Sequence, residues 1–227
     1  MGTLVLLRHG QSEWNQEDRF AGWVDVPLTP LGLTQSRSAG AFLRQQGLDF
    51  DVCYTSVLQR ATHSAWHCLD AMDRTWLPTV RSWRLNERHY GALHGLSKVA
   101  MANEFGEEQV RKWRRGYSTR PPPDDAAQGA LFATDPRYAD VSVPASESMA
   151  DTVARLRPFW SETMRPALQG GARALVVAHG TSLRALIRIL CRVSATEVAS
   201  LEIPNGIPLL TDVGRGGQAP YPSALYD

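Results

Sequence analysis

Two short apolar runs constrain the fold of this 227-residue chain more than any other feature. They are Thr3-Leu4-Val5-Leu6-Leu7 near the start and Ala174-Leu175-Val176-Val177-Ala178 near the end. Neither alternates polar with apolar residues, so each reads as a strand covered on both faces. Such strands belong to a parallel sheet whose crossovers place helices on either side. The chain between them supplies those helices. Thr29-Pro30 opens one that is expected to run through Gln46, with Thr as the cap, Pro in the first turn and Gly47 at the end. Phe50 to Thr55 reads as a second strand. Ser56 to Met72 reads as the helix after it, with Val57, Ala61, Ala65 and Leu69 as its inner face. Ser182 to Leu190 is the helix that follows the 174–178 strand, and Leu209 to Val213 a last strand. The expected fold class is α/β, a mostly parallel sheet flanked by helices on both faces, in one domain spanning 1–227. From Arg84 to Ser148 the rhythm breaks. That stretch holds one helix-like piece at Glu107–Arg115, the run Pro121-Pro122-Pro123 and an irregular segment. A long insertion of this kind is expected to form a lid or binding loop over the active site.

Both buried runs end alike. Arg8-His9-Gly10 follows the first, and His179-Gly180 follows the other. Ligands of open α/β sheets bind beyond the carboxyl ends of the strands. These residues are therefore expected to meet at one sheet edge, joined by Arg60 from the helix after the second strand. The residue types suit phosphoryl transfer. An imidazole can attack phosphorus and carry the group covalently, and arginine forks stabilise the charge spread over the equatorial oxygens. Gly10 and Gly180 let backbone approach an anion closely, and the helix near Thr181 turns its N-terminus towards it. No nucleotide-binding G-x-x-x-x-G-K-S/T loop is present.

Composition sets outer limits. Hydrophobic residues make up 43% and charged residues 21%, with a formal net charge of +1, which gives no reason to expect nucleic acid or a membrane as partner. No apolar stretch has the length of a membrane span, and the N-terminal run is too short for a signal-peptide core. Three cysteines, Cys53, Cys68 and Cys191, without a C-x-x-C pair, fit a reducing compartment, so a cytoplasmic location is expected. Cys53, inside a strand, reads as buried and inert. His63 and His67 share a helix face at a spacing that zinc can use, but no third ligand accompanies them and an ordinary helix surface is the better reading. Gly180-Thr181-Ser182-Leu183-Arg184 has the start of a nucleophile elbow, but Arg184 replaces its closing glycine.

The wider context narrows the reading. Arg8-His9-Gly10-Gln11-Ser12-Glu13-Trp14-Asn15 resembles the signature of the histidine phosphatase superfamily. Several runs resemble one branch, the 2,3-bisphosphoglycerate-dependent phosphoglycerate mutases. They are Gly22-Trp23-Val24-Asp25-Val26-Pro27-Leu28-Thr29, Tyr54-Thr55-Ser56-Val57-Leu58-Gln59-Arg60-Ala61, Leu85-Asn86-Glu87-Arg88-His89-Tyr90-Gly91, Val110-Arg111-Lys112-Trp113-Arg114-Arg115-Gly116, Asp135-Pro136-Arg137-Tyr138 and Ala178-His179-Gly180. The resemblance implies that His9 takes the phosphoryl group while Arg8, Arg60 and His179 hold its oxygens. Glu87 exchanges a proton with the substrate hydroxyl. Ser12, Asn15, Ala21, Gly22, Arg88, His89, Tyr90, Lys98, Arg114, Arg115, Gly180 and Thr181 line the substrate site. Arg111 and Lys112 belong to a solvated helix face. The implied reaction interconverts 3-phosphoglycerate and 2-phosphoglycerate, primed by 2,3-bisphosphoglycerate, without a metal. The implied partners are small-molecule phosphoglycerates, and a homodimer or homotetramer is expected.

Departures from the branch's pattern point elsewhere. Ala21 stands where Thr, Ser or Cys is usual, Thr181 where Asn is usual, and the segment before Ser148 is altered. The chain ends at Asp227 without the Lys-rich tail that folds over the site in many members, which gives water a route to phospho-His9. The alternative is therefore a phosphomonoester phosphatase of the same superfamily. The insertion carrying Lys98, Arg114 and Arg115 favours the mutase, the short tail some hydrolysis. A bisphosphoglycerate synthase is disfavoured by Ser12 and Gly22, and a non-catalytic phospho-ligand-binding protein by His9, Arg8, Arg60, Glu87 and His179.

Overall fold

The computed structural model describes residues 2–225, and of residues 126–128 the backbone course alone. The two apolar runs become neighbouring strands. Strand β1 (Gly2–Arg8) pairs in parallel with β4 (Ala174–Ala178). On the far side of β4 lies β2 (Val52–Thr55), and beyond it β3 (Thr79–Arg81), both parallel. On the other side of β1 the sheet turns antiparallel through β5 (Pro208–Val213) and β6 (Ser223–Ala224). The order is β3-β2-β4-β1-β5-β6.

Every side chain of β4 is buried, and alternate residues enter opposite cores. Leu4, Leu6, Val176 and Ala178 pack against α7 (Met149–Phe159), the π-helical turn Trp160–Met164, α8 (Arg165–Gln169) and α9 (Gly180–Cys191). Val5, Leu7, Leu175 and Val177 pack against α2 (Pro30–Gln45) and α3 (Gln59–Ala71). Helices thus cover both faces, as the two-sided burial of the runs requires. Thr29 caps α2 by accepting from the Gly32 N–H at 3.1 Å, with Pro30 as its first residue. Ala61, Ala65 and Leu69 form part of the inner face of α3, while Val57 precedes the helix and packs with Trp23 and Tyr138.

Several elements correct the sequence reading. Strands β3 and β6 are unforeseen; one is three residues and exposed, the other two residues at the edge, and neither carries a period. The 84–148 insertion is more regular than its prolines suggest. It holds α4 (Lys98–Phe105), α5 (Glu107–Arg115) and α6 (Ala126–Ala133), with a small core of Phe20, Leu93, Met101, Val110 and Trp113. Short helices like these draw their stability from such packing more than from propensity. Helix α9 begins two residues earlier than expected, at Gly180. The tail runs along the sheet edge: the Leu225 N–H donates to the Pro208 carbonyl at 3.1 Å, and Tyr221 is exposed. Tyr226 lies outside the described residues. No helix of the described residues is long and apolar enough to cross a membrane.

One buried side chain ties the insertion to the sheet domain. Arg155, on α7, pairs with Glu147 at 2.6 Å and donates to the carbonyls of Arg84, Asn86 and Glu87 at 2.5, 2.9 and 2.9 Å. Glu147 in turn accepts from the His89 N–H at 2.9 Å. Removing one partner of a buried pair strands the other charge. Arg155→Met should therefore lower unfolding free energy in urea by about 3–5 kcal/mol; a loss under about 1 kcal/mol would show the pair to be dispensable.

Candidate active site

The turn after β1 is held from three sides. The His9 N–H donates to the Ala178 carbonyl at 2.9 Å, extending the parallel ladder, and the Gly206 N–H donates to the Arg8 carbonyl at 3.0 Å. Asn205 Nδ2 donates to the His9 carbonyl at 2.7 Å. At Gly10 a Cβ would lie 2.1 Å from the Gly32 carbonyl oxygen, so the turn can sit against α2 only without a side chain. The His9 ring is buried. Its Nδ1 lies 2.6 Å from the Gly10 carbonyl, which can only accept, so Nδ1 carries the proton and Nε2 keeps its lone pair. Burial, then the charges of Arg60 and Arg8, hold the imidazole well below its ordinary pKa, hence neutral. A neutral ring with a fixed tautomer can act as a nucleophile through Nε2.

Around it stand groups that can hold an anion. The His179 ring is tilted against that of His9 with centroids 4.9 Å apart. Its Nε2 meets Ser56 Oγ at 2.8 Å, and its Nδ1 is buried without a partner. Arg60, the second residue of α3, donates to the carbonyls of Val24 and Gly22 at 2.9 and 2.6 Å. Arg8 donates to the Ile203 carbonyl at 2.8 Å, and its Nε is unpartnered. Gly180 opens α9, whose N-terminus adds partial positive charge. Sequence reasoning missed a further cation, Arg184, buried one turn into α9, which it treated only as the residue that spoils a hydrolase elbow. A Cβ on Gly180 would lie 3.6 Å from Arg184 Nη1 and 3.7 Å from Arg8 Cζ. Spacing of four from Gly180 places it on the same helix face, and this was the signal available. Burial lowers Arg60 and Arg184 to about 10, so both stay charged at neutral pH.

Glu87 closes the site opposite. Its carboxylate accepts from the Arg88 N–H at 2.6 Å and from the Thr181 N–H at 3.2 Å. Its carbonyl accepts from Trp23 Nε1 at 2.7 Å. Burial pushes the carboxyl upward, but hydrogen bonds from Thr181, the charge of Arg184 and the Arg88 N–H outweigh it, and the net shift is downward. A bound phosphate dianion opposes that shift by adding negative charge beside it.

The other expected site residues fall into two groups. Tyr90 lies against Phe20 and under Arg88, and Arg114 and Arg115 end α5; Arg115 lines a cavity of about 570 Å³ together with Arg111, Arg114 and Glu202. Lys98 is paired with Asp18 at 2.5 Å and Arg115 with Glu202 at 2.6 Å. Ser12 and Asn15 spend their side chains on a capping box at the start of α1 (Glu13–Gln16). Gly22 adopts φ +52°, and a Cβ there would strike His94 Nε2 at 2.1 Å; Ala21 precedes it. Arg88 is fully buried and donates to the carbonyls of Trp113 and Arg114, bracing the end of α5.

His89 faces away from His9, into a cluster with His94 and Asp124 whose potential ligand atoms lie within 4.8 Å of one another. His89 Nδ1 accepts from the Gly91 N–H, and His94 Nε2 from the Trp23 and Tyr90 N–H groups. The ring protons must then sit on His89 Nε2 and His94 Nδ1, which face Asp124 oxygens at 3.3 and 3.6 Å. A cation needs lone pairs at those two atoms. The donor set therefore suits a carboxylate set between two imidazole N–H groups, although His89 Nε2, His94 Nδ1 and Asp124 Oδ1 close no hydrogen bond. His63 and His67 belong to no metal-like group of the described residues.

Burial is the first cause that holds His9, His179 and His89 neutral, His89 down to about 2. Each would bind a proton near pH 6.5 once unfolded, so below that pH the unfolded state holds more protons and folding weakens. Urea unfolding should show stability falling as pH drops from 7 to 5, with a slope of at least about 1.4 kcal/mol per pH unit below pH 6. A flat or rising profile would mean that these rings are charged when folded.

The fold recurs in solved structures. A mycobacterial glucosyl-3-phosphoglycerate phosphatase in complex with VO3 is 25% identical, covers 99% of this chain and 98% of its own, and superposes with a TM-score of 0.77. An alpha-ribazole phosphatase from Shigella flexneri is 22% identical, covers 99% and 96%, and gives a TM-score of 0.71. A protein described as mycobacterial hydrolase 1 is 24% identical over 96% and 95% with a TM-score of 0.73, and like the Shigella protein it speaks to the fold. The model of one family, the histidine phosphatase superfamily (branch 1), matches residues 4–218, nearly the whole chain from β1 to the loop after β5. With His9, Arg8, Arg60, Glu87 and His179 gathered at the carboxyl edge of its sheet, this chain belongs to the histidine phosphatase superfamily, branch 1.

Proposed function

We propose that this enzyme is a phosphomonoester phosphatase that works through phospho-His9. Glu87, ionised in the free enzyme, takes up the proton of a monoanionic phosphomonoester as it binds; His9 Nε2 then attacks phosphorus, the P–O ester bond breaks, and the Glu87 carboxyl gives that proton to the leaving oxygen. Glu87 then takes a proton from water, whose oxygen attacks phosphorus as the P–N bond breaks. Glu87 passes that proton to the departing phosphate, which leaves as the monoanion, and both groups return to their starting state. Arg8, Arg60, Arg184, His179 and the α9 N-terminus stabilise the charge on the transferring group.

One observation carries this reading over the mutase. The cations around His9 form no ion pair with a carboxylate among the described residues, Glu87 acting on them only at longer range, whereas two of the three cations assigned to a second anionic group are paired: Lys98 with Asp18 and Arg115 with Glu202. Ser12 and Asn15 are likewise engaged in a cap. The site thus has unpaired charge gathered around one phosphoryl group, and Arg114 is the one cation of the three at the rim without an ion pair among the described residues. Support also comes from the solved relatives, which are described as phosphatases. Under this reading neither a 2,3-bisphosphoglycerate primer nor a metal is needed. The mutase remains the second reading, favoured by the position of Arg115, whose charge reaches Arg8 and Arg184.

A panel of phosphomonoesters, including 3-phosphoglycerate, glucosyl-3-phosphoglycerate and sugar phosphates, is to be assayed for inorganic phosphate and for 2-phosphoglycerate. The expected result is phosphate release that is unaffected by added 2,3-bisphosphoglycerate. Primer-dependent formation of 2-phosphoglycerate exceeding phosphate release would overturn the proposal in favour of the mutase.

A further inference from the structure

A second strongly basic site lies at the other end of α9. That helix has 12 residues, so its C-terminus is about 18 Å from the catalytic end. Beside it opens a cavity of about 510 Å³ whose lining includes Arg157, Arg165, Arg188 and Arg192 and no acidic residue. The four come from separate places: Arg157 from the last turn of α7, Arg165 from the start of α8, Arg188 from the last turn of α9, and Arg192 just after it. None forms an ion pair with a carboxylate among the described residues. Elsewhere on the surface arginines do find such partners, as Arg173 does in Asp51 and Arg120 in Asp151.

The unpaired charge is held in place. Arg188 stacks on the Tyr117 ring, with its Cζ 4.6 Å from the centroid, and donates from Nε to the Tyr117 hydroxyl at 3.2 Å and from Nη1 to the Val193 carbonyl. Its Nη2 is left for a ligand. Arg192 sits at φ +54°, a left-handed position seldom taken by residues other than glycine, asparagine and aspartate, so the chain spends strain to end α9 there. The Gln218 amide faces the Arg192 guanidinium, and with its oxygen and nitrogen exchanged the oxygen accepts from Nε at 3.0 Å.

Two backbone features converge on the same cavity. The chain after α7 widens into the π-helical turn Trp160–Met164, and Trp160 and Ser161 of that turn line it. Such turns are rare and gather at functional sites. The loop Gly214-Arg215-Gly216-Gly217 closes the opposite wall. At Gly217, where φ is +76°, a Cβ would lie 2.7 Å from Arg165 Cδ; glycine lets Arg165 lie along the loop. Glycine-rich backbone beside guanidinium forks suits phosphate oxygens.

A cavity lined by one sign of charge concentrates counter-ions. Four guanidiniums exceed the charge of a single phosphate, so we propose that this cavity binds a compact polyanion carrying two or more phosphate groups. The site is separate from the catalytic one and independent of which ester is hydrolysed.

The test is calorimetric titration of inorganic tripolyphosphate into the wild-type protein and into Arg157→Ser/Arg165→Ser, at physiological salt. Both arginines are exposed, so the core is untouched. The expected result is that the double variant loses one saturable site, or weakens it at least tenfold, while kcat and KM for phosphomonoester hydrolysis stay unchanged. Arg188→Lys, which keeps the charge but not the fork, should give a smaller loss. Orthophosphate should bind this site at least tenfold more weakly than tripolyphosphate. Identical tripolyphosphate isotherms for the wild type and the double variant would overturn the proposal, and equal affinity for orthophosphate would overturn the polyanion assignment.

Discussion

The buried arginines of this protein are oriented by main-chain carbonyls, and the rest of the structure depends on that arrangement. Arg8 donates to Ile203, Arg60 to Gly22 and Val24, and Arg88 to Trp113 and Arg114. A carbonyl aims a guanidinium without cancelling its charge, as a carboxylate would. Each such bond to a charged group is worth about 1.5–3 kcal/mol, less than the several kcal/mol that burying a bare cation costs. The deficit is met when a phosphate dianion arrives, so the same cost that strains the free protein becomes affinity for substrate. Arg155 differs because it sits behind the site: there Glu147 neutralises it, and its carbonyl bonds position Glu87.

This logic separates residues that the sequence groups together. Lys98, Arg114 and Arg115 read as one basic substrate cluster, yet Lys98 and Arg115 have acidic neighbours from distant segments, Asp18 and Glu202. Ser12 and Asn15 read as ligand contacts, yet they satisfy each other at a helix start. Under the proposed reading a mutase and a phosphatase would both begin with attack by His9, so the distinction rests on the rim, where pairing across the fold decides which charges remain available.

Much of the fold was legible from burial pattern. Strands β1, β2 and β4 and helices α2, α3 and α9 are where apolar runs, caps and glycines put them, and the His9, Arg60 and His179 positions follow from strand ends. Strands β3 and β6 were not legible because they are too short to show a period, and their pairing is decided by neighbours. Within the insertion α5 was legible at Glu107–Arg115, while α4 and α6 were hidden because their packing partners lie far apart in the chain, Phe20 with Met101 and Trp23 with Phe132 for example. Arg184 was visible as a residue but not as a cation of the site, since nothing local says which way it points. The His89, His94 and Asp124 cluster likewise depends on contacts between distant positions.

The central claim is that a neutral His9 takes the phosphoryl group and Glu87 then activates the water that removes it. It is tested most directly by mixing Glu87→Gln protein with an aryl phosphate, whose leaving group needs no proton, and mapping acid-labile phosphate on the protein by mass spectrometry. The account predicts that phosphate accumulates on His9, because attack proceeds while hydrolysis lacks its base. Label on another residue, or turnover at the wild-type rate with no phosphoprotein, would contradict it.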